Sequence, residues 1–273
     1  MNTKGPIGIF DSGYGGLTIL KAIARQLPEY DYLYLGDNAR APYGNRSYET
    51  VYQYTLQAVE WFFSKGCSLV ILACNTASAK ALRSIQQQNL PAYTNKKVLG
   101  VIRPTAEIAG NYSVSGHIGV LGTTGTIKSD SYKMEMHKFF PQANIYQQAC
   151  PMWVPIIENG EHNREGADYF VKEYIYSLLS QCADIDTVLL GCTHYPLLMD
   201  KIKSNLPHTV TVIDQGIIVA KSLEDYLKRH AEIEILCSKN GLKTFYTTDN
   251  TETFDQLGEL FYGDKIKSVK AVL

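Results

Sequence analysis

The chain is predicted to be an α/β protein of two similar domains, each a mainly parallel sheet flanked by helices, and three observations point there. Short, wholly apolar runs bounded by turn residues recur along it, the pattern of strands buried on both faces of a parallel sheet. Between them stand stretches with apolar residues at helical spacing, so strand and helix alternate. The series then restarts. Leu69 to Ser78, LVILACNTAS, has a counterpart in Asp186 to Pro196, DTVLLGCTHYP, and in each an apolar run ends on a small residue, a cysteine and, close behind, a threonine.

Taken in order, Ile7 to Phe10 reads as the first strand, followed by the glycine loop DSGYGG and a helix from Leu17 to Leu27 that Pro28 stops. Backbone N–H groups at such a helix start bind carboxylate as well as phosphate, but Gly13, Gly15 and Gly16 lack the full dinucleotide and P-loop spacings. Tyr32 to Leu35 is the next strand and opens into GDNARAPYGNRS, a loop by its glycine, proline and asparagine content. Ser47 to Phe63 is a helix, Leu69 to Ala73 the first cysteine strand, Thr76 to Gln88 its helix, and Val98 to Ile102 a further strand.

The second series opens with a strand from His117 to Leu121 and the stretch GTTGTIKSDSY, whose hydroxyl residues precede a helix reaching about Phe140. Ile145 to Gln148 is a strand ending at ACPMWVP, Asn159 to Gln181 is mostly helical with Glu158 and Glu161 near its start, and Thr187 to Leu190 is the second cysteine strand. A strand from Val210 to Ile213, a helix from about Ile217 to His230 and a strand from Lys243 to Thr247 follow, while DKIKSVK reads as a solvated face. No low-complexity linker separates the halves, so the restart of the pattern places the boundary near residue 100.

Composition narrows the function. The 273 residues are 45% hydrophobic and 19% charged, a globular composition with enough apolar content for a sizeable core. A net charge of −1, from 26 basic and 27 acidic residues, supplies no field for nucleic acid or an anionic membrane, so the expected partner is a small molecule. MNTKGPIGIF lacks the apolar core of a signal peptide and no run has the ~18 apolar residues of a membrane span, which predicts a cytoplasmic protein. Six scattered cysteines fit reduced thiols, with Cys67, Cys150, Cys182 and Cys237 expected to pack.

In parallel sheets ligands gather at the carboxyl ends of strands. Those ends carry Asp11 and Ser12; Tyr43 and Gly44; Cys74, Asn75 and Thr76; Thr123, Thr124 and Thr126; and Cys192, Thr193 and His194. Hydroxyls, amides and helix-start N–H groups suit carboxylates, and Asp11 suits an ammonium, so the set fits a small zwitterion. Zinc is disfavoured because neither cysteine has a C-x₂₋₄-C neighbour. A cysteine hydrolase with His194 as base leaves one thiol unexplained, and a binding module leaves both. Two-base proton transfer uses both. A thiol of ordinary pKa, ~8.5, serves as acid and as base near neutrality, and the outcome is racemisation or epimerisation.

FDSGYGGL, LGDNARAPYG, ACNTAS, GTTGTIKSDSY, ACPMWVPIIE and GCTHYPLL together resemble the bacterial glutamate racemases, within the aspartate/glutamate racemase family, over nearly the whole chain. The resemblance implies a cofactor-independent enzyme, with no metal, that interconverts L- and D-glutamate for peptidoglycan synthesis. It implies an active site in the cleft between the two lobes and a homodimer. Cys74 and Cys192 match the paired acid/base cysteines, Asp11 the carboxylate assisting the first thiol, and His194 and Glu158 the helpers of the second. Substrate binding maps to Asp11, Ser12, Tyr43, Gly44, Asn75, Thr76, Thr124, Thr193 and His194. Cys74 would deprotonate D-glutamate and Cys192 L-glutamate. The family's chain end returns to the first domain, giving lobes of residues 1–100 plus 210–273 and of residues 101–209. Two positions depart from the family pattern: Tyr14, where a small aliphatic residue is expected, and Arg103 before Pro104.

Overall fold

A computed structural model describes residues 4–273. Among them run ten strands: β1 (Ile7–Asp11), β2 (Tyr32–Gly36), β3 (Leu69–Leu72), β4 (Lys97–Gly100), β5 (His117–Gly122), β6 (Asn144–Ala149), β7 (Thr187–Gly191), β8 (Thr211–Ile213), β9 (Lys243–Thr247) and β10 (Ser268–Lys270). The chain divides into two compact units, Ile102–Gln215 forming one and the segments ending at Val101 and starting at Gly216 forming the other.

The first unit holds a six-stranded sheet in the order β10-β9-β2-β1-β3-β4, and the second a four-stranded sheet in the order β6-β5-β7-β8, with every pairing parallel. Four strands of each sheet therefore follow one plan. β2-β1-β3-β4 corresponds to β6-β5-β7-β8, and the match extends to register, because Gly8 pairs with Val70 as Gly119 pairs with Val188. Both glycines sit where a helix presses on the sheet. A Cβ on Gly8 would stand 2.7 Å from Phe62 Cδ1, and one on Gly119 the same 2.7 Å from Leu178 Cδ2. The helices Tyr48–Ser64 and Glu165–Leu179, which carry those side chains, can pack closely only because the strands offer no Cβ there.

Every residue of β1, β2, β3 and β7 is buried, as the continuous apolar runs require. In the first unit Phe10, Leu72, Val59 and Phe62 belong to one core cluster. Tyr14 is accommodated by aromatic packing: its ring stacks on Phe254 and Phe261 of the helix Thr251–Tyr262, with centroids 5.5 and 5.9 Å apart. Arg103 lies on the helix Ile102–Ala109, pairs with Glu107 at 2.8 Å and reaches over the Phe139 ring.

Several elements differ from the sequence reading. Ile102 begins a helix instead of ending a strand, with Pro104 tolerated in its first turn. The helix after Cys74 spans only Asn75–Lys80 before the chain passes through shorter helical turns. The reading "solvated" for DKIKSVK is corrected in part: Ser268–Lys270 is the edge strand β10, anchored by Ser268 N donating to Asp255 Oδ1 at 2.9 Å, with Val269 outward. β8 pairs with β7 and so belongs to the second unit, and Gly216 is the first residue of the segment that lies with the first unit.

Candidate active site

In each sheet the connections leave the central strand in opposite directions: from β1 the chain goes first to β2 on one side and later to β3 on the other, and β5, β6 and β7 repeat this. The carboxyl ends of β1 and β3, and of β5 and β7, are thus points where strand order reverses, the ligand-binding positions of open parallel sheets. Asp11 and Cys74 stand at the first, Thr123 and Cys192 at the second.

In the first unit Asp11 closes β1 and is 1% exposed, its Oδ1 accepting from Gly13 N at 2.9 Å so that the glycine loop folds back over the strand end. Tyr34 on β2 supports that loop from below, donating its hydroxyl to Gly13 O at 2.9 Å. The helix Gly16–Gln26 starts directly against these groups, since a Cβ on Gly16 would lie 2.5 Å from Asp11 Cβ and 3.0 Å from Ala73 Cβ. Gly16→Ala is therefore expected to displace Asp11 or the cysteine strand and to destabilise the protein by about 1–3 kcal/mol. A urea unfolding midpoint equal to that of the wild type would show that the contact yields freely.

Cys74 follows β3, where Ala73 N donates to Phe10 O at 2.8 Å. It caps the helix Asn75–Lys80: Ala77 N donates to Cys74 Sγ at 3.4 Å, and the thiol donates to Ser12 Oγ at 3.4 Å. Ser12 Oγ thus holds the S–H in place, and the backbone donor of Ala77 N is available to the sulfur in either protonation state. Asn75 and Thr76, each 2% exposed, fill the first turn beneath it. Tyr43 is buried beside Phe10 and commits its hydroxyl to Asp37, which also accepts from Arg40 Nε at 2.7 Å and Thr248 Oγ1 at 2.9 Å. Burial, with the Asp37 carboxylate adding, keeps the Tyr43 phenol well above its ordinary pKa and so protonated. Gly44 lies in the turn that follows. Asp37 organises this loop yet was not singled out in the sequence, where its only signal is its place in LGDNARAPYG.

In the second unit Cys192, Thr193 and His194 follow β7 directly and are 6%, 4% and 5% exposed. Cys192 Sγ lies 3.8 Å from His194 Nδ1, and His194 Nε2 lies 2.9 Å from Glu158 Oε1, so the imidazole bridges thiol and carboxylate. Burial alone disfavours the imidazolium, but its hydrogen bonds to Cys192 and Glu158, with their negative charge, outweigh it and lift His194 to about 10. Near neutrality the imidazolium form of His194 is therefore the favoured one.

Glu158 owes its position to a break the sequence reading missed. Instead of standing near the start of one long helix, it ends the short helix Trp153–Glu158, and the next begins at Glu165. Gly160, at φ 72°, ends the first with Glu161 N donating to Ile156 O at 2.9 Å and Gly160 N to Ile157 O at 3.0 Å, the paired bonds of a Schellman turn. Glu158→Gln keeps the shape but removes the charge, so the His194 imidazolium is expected to lose its proton at lower pH. NMR titration of the ring measures this, and an unmoved midpoint would detach Glu158 from the pair.

Thr123 caps the helix Thr124–Lys128, its Oγ1 accepting from Thr126 N at 3.3 Å and lying 3.0 Å from Thr126 Oγ1. Thr124 is half-buried in the first turn. Cys150 packs as expected, and burial, together with the charge of Cys192, holds its thiol well above the ordinary range.

A profile of the Asp/Glu/Hydantoin racemase family matches residues 7–223. The glutamate racemase of Persephonella marina (strain DSM 14350 / EX-H1) is 40% identical over 98% of this chain and 97% of its own length. Among solved structures, glutamate racemase isoform RacE1 from Bacillus anthracis superposes with a TM-score of 0.89 at 35% identity, covering 98% of both chains. The glutamate racemase from Francisella tularensis subsp. tularensis SCHU S4, in complex with D-glutamate, superposes at 0.87 with 32% identity, covering 99% of this chain and 97% of that one.

Proposed function

The chain belongs to the Asp/Glu/hydantoin racemase family, and from that premise we propose that it is a glutamate racemase working by two-base proton transfer, with Cys74 and Cys192 as the paired acid and base. The observation that carries this reading is the recurrence of a thiol at the same point of reversal in two sheets of one plan, each thiol with its own proton partner.

Either thiol, as thiolate, takes the α-proton from one face of glutamate while the other, as thiol, delivers a proton to the opposite face. The α-carbon passes through a carbanion whose charge is shared with the adjacent carboxylate, and the enzyme ends with its thiol protonation reversed. Cys74 acts on D-glutamate and Cys192 on L-glutamate. At Cys74 the proton taken stays on sulfur, whose S–H is hydrogen-bonded to Ser12 Oγ, and Asp11 is the carboxylate that assists this thiol. At Cys192 the His194 imidazolium, held by Glu158, stabilises the thiolate.

The substrate's carboxylates are met by the donors of Ser12, Asn75, Thr76, Thr124 and Thr193 and by the backbone at Gly44, and its ammonium by Asp11. Tyr43, tied to Asp37, shapes the pocket wall. His194 belongs to both sets.

The reaction needs no cofactor in this scheme and supplies D-glutamate for peptidoglycan, in the cytoplasm, from a homodimer. Among the described residues no helix is long and apolar enough to cross a membrane. Circular dichroism of L-glutamate incubated with the purified protein and no added cofactor tests the reading. Decay of the signal to zero is expected, whereas release of ammonia, or an unchanged signal, would remove it.

A further inference from the structure

The amino ends of the second sheet carry a cluster that the racemase reading leaves unused. His117 opens β5, about 16 Å of strand away from Gly122 and the residues that follow it. Its Nδ1 lies 3.3 Å from Cys182 Sγ and 3.0 Å from the Tyr146 hydroxyl of β6, whose ring stacks on the imidazole at 5.8 Å. Asp184 completes the group: one ligand atom each of His117, Cys182 and Asp184 falls within 4.8 Å of the others. Cys182, expected to pack in the interior, is instead half-exposed at this surface.

The spacing of the imidazole and thiol is close to that of a metal site. Around a tetrahedral zinc with Zn–S ~2.3 Å and Zn–N ~2.1 Å, sulfur and nitrogen stand about 3.6 Å apart, and the 3.3 Å between Cys182 Sγ and His117 Nδ1 needs only a small adjustment to reach it. The donors are one imidazole, one thiol and one carboxylate, the mixture that a borderline-soft divalent ion takes over magnesium or calcium.

The cluster is also held in place before any ion arrives. Asp186, between Asp184 and β7, accepts from Ser113 Oγ at 2.6 Å and from Val114 N and Ser115 N at 2.7 Å each. Ser115 Oγ in turn donates to Asp184 O at 2.9 Å, and His117 N donates to Ser115 Oγ at 3.1 Å. The segments bearing His117 and Asp184 are thereby clamped to each other, which lowers the ordering cost of binding.

We propose that His117, Cys182 and Asp184 form a binding site for a divalent transition metal of zinc's class, with solvent in the fourth position. On binding, the Cys182 thiol gives its proton to solvent and becomes a thiolate ligand, and His117 binds as the neutral imidazole through Nδ1. Tyr146, displaced from Nδ1, donates to the thiolate sulfur and orients it. The site stands apart from Cys192 and His194 and takes no part in racemisation; it staples the loop ends at the amino edge of the sheet.

Cobalt(II) alone, titrated into the full-length protein after chelator and reductant treatment, tests this. A saturable thiolate-to-cobalt absorption in the near ultraviolet is expected, lost in Cys182→Ser and His117→Ala and about tenfold weaker in affinity in Tyr146→Phe. Asp184→Asn, at an exposed position where the fold is not at stake, also weakens it, and Cys182→Ser still racemises glutamate at the wild-type rate. Absence of a saturable band in the wild type, or a band unchanged in Cys182→Ser and so belonging to another thiol, overturns the proposal.

Discussion

Cys74→Ala and Cys192→Ala each lower the rate of glutamate racemisation by about 10²-fold or more, in both directions, while leaving the protein folded. The size is that of a positioned acid or base removed from the transition state. In the proposed scheme the loss must appear in both directions, because there each thiol is the base for one enantiomer and the acid for the other, so neither half of the exchange survives without its partner. The fold survives because each cysteine follows its strand instead of building it. The Cys74 sulfur takes part in long bonds with Ala77 N and Ser12 Oγ, each at 3.4 Å, and Cys192 Sγ makes its 3.8 Å contact to a histidine also held by Glu158. Cys237→Ala is the control: that thiol is buried, and burial, with the Glu234 charge adding, pushes it up to about 12, which leaves it inert. Rates followed by circular dichroism from pure D- and pure L-glutamate measure the effect, and substantial turnover by either active-site variant would sink the two-thiol scheme.

In heavy water, product formed at low conversion is almost fully deuterated at the α-carbon while recovered substrate stays almost fully protiated, whichever enantiomer is supplied. Under the two-thiol proposal the proton taken from substrate remains on the sulfur that took it. The new hydrogen comes from the opposite sulfur, already exchanged with solvent. A single shared base would instead return much of the original proton and give protiated product or deuterated substrate from the first turnovers. NMR of the α-position, started from each enantiomer, separates the two, and substantial unlabelled product would count against assigning both thiols.

The parts of the site legible in the sequence are those fixed by local pattern. Both cysteine strands could be read because a continuous apolar run ending on a small residue is a short-range signal, and the plan of the two sheets preserves it as Leu72-Ala73-Cys74 and Leu190-Gly191-Cys192. His194 came with them as an immediate neighbour. Glu158 was found in sequence but set near the start of the wrong helix, because Gly160 ends a helix through its positive φ, and composition does not distinguish that from a glycine inside one. Asp37 was missed since its role is a convergence of Tyr43, Arg40 and Thr248, the last of them 211 residues distant. The pairing of Cys182 with His117 spans 65 residues and follows no spacing rule. β10 escaped because an edge strand with one buried residue in three carries too little periodicity to read.

The interrupted path of the first unit has a consequence for the nascent chain. β2 is flanked in the finished sheet by β1 and β9, and Tyr32 pairs with Lys243, so the outer edge of β2 has no partner until the ribosome has made the whole of the other unit. Throughout that interval Tyr32–Gly36 presents an open row of main-chain groups on an apolar strand, the kind of edge that recruits strands from neighbouring chains. The second unit is under no such delay, since β5 to β8 all lie within the continuous segment 102–215. During synthesis the later half of the sheet architecture is thus the first able to reach its final form, and the earlier half waits exposed for its last two strands.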